Sequence, residues 1–105
     1  MKKVFKYLIE ANSILDGHFP IKVNAPMGAK PLHIGVQNSQ LCLWMEVETD
    51  TSPELQTPLI CVGTGHGVVP DNYQYFQSVQ NDGYVWHFYK LPDKIKAEQH
   101  PAVLI

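Results

Sequence analysis

Aliphatic residues fall at alternate positions through "KPLHIGVQNSQLCLWMEVE", Lys30 to Glu48. Leu32, Ile34 and Val36 alternate with His33, Gly35 and Gln37. Beyond Asn38-Ser39, the residues Leu41, Leu43, Met45 and Val47 alternate with Cys42, Trp44, Glu46 and Glu48. A period of two belongs to a strand that turns one face to a core. With Asn38-Ser39 as a two-residue reversal, Val36 meets Leu41, Ile34 meets Leu43 and Leu32 meets Met45 on one face. Gly35 then faces Cys42, and His33 faces Trp44, on the other. A slip of one position would send every aliphatic side chain to the wrong side, so the pattern predicts this register. Ser is a poorer residue than Gly for such a turn, because positive φ costs it more.

A second hairpin is predicted over "YFQSVQNDGYVWHFYK". Asn81-Asp82-Gly83 supplies residues that tolerate left-handed backbone between β-branched and aromatic runs. A three-residue loop would pair Val79 with Val85, Phe76 with Phe88 and Tyr75 with Tyr89. A two-residue Asp82-Gly83 loop would pair Val79 with Trp86. Further strands are expected at Val4 to Ile9, at Phe19 to Val23 and at Leu59 to Val62, with an extension of the last toward His66. "NAPMGAKP" and "TDTSPELQTP" read as loops, and Pro92 to Gln99 has room for a helical turn or two before Pro101. Six to seven short strands imply an all-β domain, a small antiparallel sandwich or barrel over residues 1–90. Closure into a barrel would hide its edges. Residues 91–105 form a tail or short helix in this reading.

The 105 residues suffice for one core. No apolar stretch is long enough to span a bilayer as a helix. "MKKVFKYLIE" begins like a signal peptide, but Lys6 and Glu10 interrupt its apolar run, so a soluble cytosolic protein without membrane association is expected. The chain has no arginine. Five lysines lie at or before Lys30 and three at or after Lys90, whereas Pro31 to Tyr89 carries six acidic residues and no lysine. Nucleic-acid binding relies on cations against phosphates and on arginine forks at base edges, so this distribution argues against it.

"CVGTGHGVVP", Cys61 to Pro70, is the one glycine-rich segment with chemical potential. It has no lysine to reach a phosphate as a P-loop does. Gly63, Gly65 and Gly67 lack dinucleotide-loop spacing and run into Val68, Val69 and Pro70 rather than a helix. A strand ending in a bend accounts for the glycines, with Gly63 and Gly65 permitting close backbone approach and Gly67 a positive φ. Thr64 and His66 then stand at an exposed corner, the candidate binding residues of this segment. Backbone amides there also offer a glycine nest for an anion.

The five histidines show no metal-binding spacing, and a zinc site would need His66 and His87 brought together with Cys42 or Cys61. The two cysteines fit small buried packing residues better than nucleophiles, because nothing supplies an orienting group or an oxyanion hole. No metal, cofactor or catalytic residue is assigned. Glu46 and Glu48 share one strand face, about 7 Å apart, as solvated carboxylates commonly do. Trp44, opposite His33, is a candidate contact residue if its face is open. Among Tyr73, Tyr75, Phe76, Tyr84, Trp86, Phe88 and Tyr89, alternation sends half to the core and leaves the rest for a partner. Trp86 joins the candidate binding residues on that ground, and His87 as a residue that strand pairing could bring near His66.

"KVFKY", "LHIGVQ", "LCLW", "VGTGH" and "GYVWHF" follow one another in order between Lys3 and Phe88. This run resembles uncharacterised small proteins of tailed bacteriophages and prophages with a CLW…GTGH…G-x-x-x-H pattern. The resemblance spans Lys2 to Tyr89 and leaves out "EANSILDGH" and the tail after Lys90. It implies a phage gene acting in a bacterial host cytoplasm, and it implies no activity. Together these features lead to the expectation of a non-enzymatic accessory protein that binds a host protein, in host takeover or counter-defence. The alternatives are a binder of a nucleotide-like signal and a minor virion or assembly component. Edge strands in so small a domain also favour a homodimer.

Overall fold

The computed structural model describes residues 1–10 and 18–91, which form seven strands and no helix. In chain order these are β1 (Lys2–Leu8), β2 (His18–Pro26), β3 (Lys30–Gln37), β4 (Gln40–Glu48), β5 (Pro53–Gly63), β6 (Gln74–Asn81) and β7 (Tyr84–Lys90). They make two antiparallel sheets, β1-β4-β3 and β2-β5-β7-β6. The fold is an all-β sandwich, and among the described residues no ladder closes it into a barrel. The helix and tail expected from Pro92 onward lie outside the described residues.

The first hairpin follows its side-chain pattern. Asn38 and Ser39 both take positive φ, 53° and 65°, the primed turn whose twist suits a two-residue loop. Gln37 faces Gln40, Val36 faces Leu41, Gly35 faces Cys42, Ile34 faces Leu43 and His33 faces Trp44. One expected pair fails. Pro31, not Leu32, opposes Met45, because β3 carries an extra residue at Leu32. A bulge of this kind turns one side chain out of the pleat, and Leu32 is accordingly exposed.

The second hairpin has the two-residue loop, Asp82 and Gly83, at φ 54° and 82°, and Val79 faces Trp86. Phe76 is an extra residue on β6, so Tyr75 still faces Tyr89. Each of the two candidate registers is therefore realised on one side of this bulge. The stretch "PELQTP" is not a loop, since β5 begins at Pro53 and pairs with β2 back to Pro26. Nor is "NAP" a loop, because β2 runs through it. Pro26 and Pro53 are accommodated at strand ends and Pro58 at the bulge in β5 opposite Lys22, positions where proline is tolerated in sheets.

Leu41, Leu43, Met45 and Val47 of β4 face Phe19, Ile21, Leu59, Cys61, Trp86 and Phe88 across the interlayer core. Ile34, Leu43, Met45, Leu59 and Phe88 have no exposed surface. Each such side chain contributes about 1.5–3 kcal/mol by leaving water. Val36 is the exception to its alternation, 43% exposed at the rim of the hairpin. The core places β5 and β7 centrally and so presents the β5 C-terminus and the β7 N-terminus together at one end of the sandwich.

Candidate functional site

At that end β5 stops at Gly63, and the backbone reverses: His66 N–H donates to the Gly63 carbonyl at 3.0 Å. Gly65 and Gly67 take φ of 76° and 66°, a conformation that side chains resist. A β-carbon at Gly65 would meet nothing within 4 Å, so its glycine answers to backbone conformation and not to close approach. Gly63 is the packed one. A β-carbon there would lie 3.4 Å from His66 Cδ2 and 3.5 Å from Trp86 Cζ3. The strand does not extend to His66, whose ring is exposed at the corner.

Beside this corner is a cavity of about 290 Å³ lined by Gly63, Thr64, His66, Gly83, Tyr84, Val85 and Trp86. Tyr84 and Trp86 approach with ring centroids 5.7 Å apart, and Tyr84 is 61% exposed. Trp86 is mostly a core residue. It packs edge-to-face on Phe19 at 6.3 Å and offers only its rim to the cavity. None of the described lining residues carries a fixed charge, while Asp82 adjoins the cavity in sequence.

On the outer surface of the same sheet, His87 sits between two hydroxyls. Its Nδ1 is 2.7 Å from Ser78 Oγ and its Nε2 is 2.7 Å from Thr64 Oγ1. Tyr75 O–H donates to Ser78 Oγ at 2.9 Å, and Thr64 O–H donates to the Val85 carbonyl at 3.4 Å. One assignment uses every hydrogen: Ser78 donates to Nδ1, and the Nε2–H donates to Thr64. The protonated nitrogen then faces Thr64, so the imidazole is turned the wrong way to take a proton from that hydroxyl. The chain ties the "GTGH" corner to β6 and β7.

Cys61 cannot join His87 as a nucleophile, because it lies on the opposite face of the sheet among Phe19 and Phe88. Burial pushes its thiol up to about 12, far from thiolate formation at neutral pH. Cys42 is also buried, and both cysteines are free. Among the described residues no three His, Cys, Asp or Glu side chains group as a metal site would.

Trp44 stands apart from the other candidate residues, on the outer face of the three-stranded sheet. Its ring is 5.8 Å from that of His33, the expected cross-strand pair, and Gly35 lies beneath both. Lys2 pairs with Glu46 at 3.8 Å on this face. The structure thus gathers Gly63, Thr64, His66 and Trp86 around one cavity with His87 bonded to it, leaves Gly65 and Gly67 in its turn, and separates Trp44. From the sequence Tyr84 is named only within the aromatic cluster, and Ser78 not at all. Tyr84 adjoins the turn glycine, a legible signal, whereas Ser78 is identified only by pairing with His87.

A comparison with curated proteins and one with solved structures found no match. The family model described as "Domain of unknown function (DUF7352)" matches residues 1–99, including the 10–18 stretch and part of the tail that the motif resemblance left out. The chain, matched over nearly all its length, belongs to that family.

Proposed function

We propose that this protein is a non-enzymatic binding module that engages a protein partner through the end formed by the "GTGH" corner and the Asp82-Gly83 turn. The cavity beside His66 carries the reading. It is concave, walled by Tyr84, Val85 and the rim of Trp86, and free of fixed charge among its described lining residues. Such a cavity suits a neutral apolar or aromatic side chain from a partner, the kind of anchor that dominates protein interfaces. Asp82 at its edge favours a basic rim on that partner. The resemblance to tailed-phage proteins directs the choice to a bacterial host protein in the cytoplasm, in host takeover or counter-defence.

A nucleotide-like ligand at the same corner has less support. Its phosphates would need lysines, and Lys30 and Lys90 line a different cavity, at the far end of β7 from Tyr84. Six residues of strand separate those ends, about 20 Å. The test is cross-linking capture from host cells with wild-type, Val85→Asp, Tyr84→Ala and Trp44→Ala baits. A partner retained by the wild type and Trp44→Ala, and lost from the two cavity variants, is expected. Equal capture by all four, or no reproducible capture by the wild type, overturns the reading.

A further inference from the structure

A second cavity, about 590 Å³, lies at the opposite end of the sandwich from the "GTGH" corner. Its volume is in the range of small-molecule sites, roughly 300–1,000 Å³. It opens where β7 ends: β5 pairs with β7 only from Ile60 to Gly63, so the earlier part of β5 has no β7 partner among the described residues.

The register irregularities of two strand pairs line this cavity, and that of a third lies beneath one of its lysines. Leu32, the extra residue of β3, lines the cavity. Thr57 and Pro58, which together oppose Lys22 of β2, line it as well. Phe76, the extra residue of β6, lies under Lys90, whose Nζ is 5.9 Å from the ring centroid. Bulges re-aim side chains and recur beside binding sites; two of them line this opening, and the third carries the ring beneath Lys90.

The electrostatics of the walls have one sign. Lys30 and Lys90 both line the cavity, and no carboxylate does among the described residues. Lys90 falls on the same side of its strand as buried Phe88, toward the gap between the sheets, and is itself half-buried. Pro31, Leu32, Pro58 and Leu91 provide apolar surface between the two lysines. In a chain with net charge −2, a cavity lined by two cations and by no carboxylate among the described residues is a local reversal of charge, with exposed Lys30 also opposite Glu46 across the β3–β4 pair.

We propose that this cavity binds a small organic anion, a carboxylate or phosphate carried on an apolar body. Lys30 and Lys90 meet the charged group, Lys90 held in place by the Phe76 ring, and Leu32, Pro58 and Leu91 cover the body. The site is independent of the protein-binding end, so either can fail without the other.

Full-length protein is titrated with octanoate, octyl phosphate and neutral 1-octanol, followed by amide NMR shifts and thermal unfolding. Saturable shifts confined to Gly28–Leu32, Thr57 and Lys90–Leu91 are expected with at least one anion, with a raised Tm. Response to octanoate or to octyl phosphate alone identifies the anionic group. Lys30→Gln and Lys90→Gln should each weaken binding about tenfold, as loss of a charge-assisted contact does. Lys30→Gln leaves the Phe76 contact intact and serves if Lys90→Gln alters the fold. The proposal is overturned if neither anion gives saturable shifts at these amides, if octanol binds as tightly, or if both substitutions leave affinity unchanged.

Discussion

The Gln77 side chain bonds to the Ile34 peptide as a neighbouring strand would. Its Oε1 accepts from Ile34 N–H at 2.9 Å, and its Nε2 donates to the Ile34 carbonyl. Ile34 occupies a position on β3 whose backbone groups point away from β4, and it is fully buried. Without Gln77 both groups would be left without these partners at the edge where β3 of one sheet approaches β6 of the other. One carboxamide thus joins the two sheets at an edge that no ladder closes among the described residues.

Replacing Gln77 by Leu should cost about 2–4 kcal/mol, the penalty of two unsatisfied peptide groups less some apolar gain. Gln77→Glu separates the two bonds. A carboxylate accepts from the amide but repels the carbonyl, whereas the protonated acid can serve both. Its folded pKa should therefore rise above the unfolded value, near 4.3. The resulting stability is complete below that value and is lost as pH climbs through the folded pKa. Urea melts of Gln77→Glu between pH 3 and 7 should show it recovering toward wild type at the acid end; a constant deficit would contradict the bonding described.

Ser39 holds a φ of 65° in the first hairpin turn. Ser39→Gly removes the strain of that conformation and should stabilise the protein by about 0.5–1 kcal/mol despite the greater freedom of glycine when unfolded. Equilibrium denaturation measures the gain. A loss of stability would mean the turn is not of the primed type.

Gly35 lies under the His33–Trp44 pair. A methyl group there would stand 3.2 Å from His33 Nε2 and 3.3 Å from Trp44 Cζ3. Gly35→Ala must push these rings outward, and a cost of about 1 kcal/mol follows from the strain of overfilling. Near-ultraviolet circular dichroism and Trp44 fluorescence (measured in a Trp86→Phe background) should both change, because the ring moves toward water.

Cys61 has a thiol pushed up by burial from 9.0 to about 12. The folded state keeps its proton where the unfolded chain would release it. This contribution is full below pH 9 and is lost as pH rises toward 12. Native protein at pH 8 should resist thiol-labelling reagents and react on addition of guanidinium. Cys61→Ala should flatten the part of the alkaline loss that belongs to this thiol, at the cost of a small core cavity. Rapid native labelling at Cys61 would contradict its placement.

His87 ties Thr64 to Ser78 across the sheet. His87→Ala should cost about 1–2 kcal/mol through two lost hydrogen bonds. It should also speed amide exchange from Thr64 to Gly67 more than in the core strands, since the corner loses its tether. His87→Gln should restore part of the protection if one bond re-forms.

The alternation of Leu41, Leu43, Met45 and Val47 and the Asn38-Ser39 turn were sufficient to identify a hairpin and most of its register, because each depends on residues within a few positions of one another. Ser78 and Gln77 gave no such signal, as their roles require partners 9 and 43 residues away. The "GTGH" corner was legible as a bend through its glycines, and Tyr84 as an aromatic beside a turn; that the two meet around one cavity depends on β7 pairing with β5 and was not.

Local pattern was thus enough for strand character, turn chemistry and an all-β class, since side-chain period and backbone preference are properties of neighbouring residues. Two sheets and not a barrel, the bulges at Leu32, Thr57-Pro58 and Phe76, and the continuation of β5 back to Pro53 depended on packing. Those features minimise buried unpaired backbone and void across the whole domain, a balance of distant contacts that no short window of sequence contains.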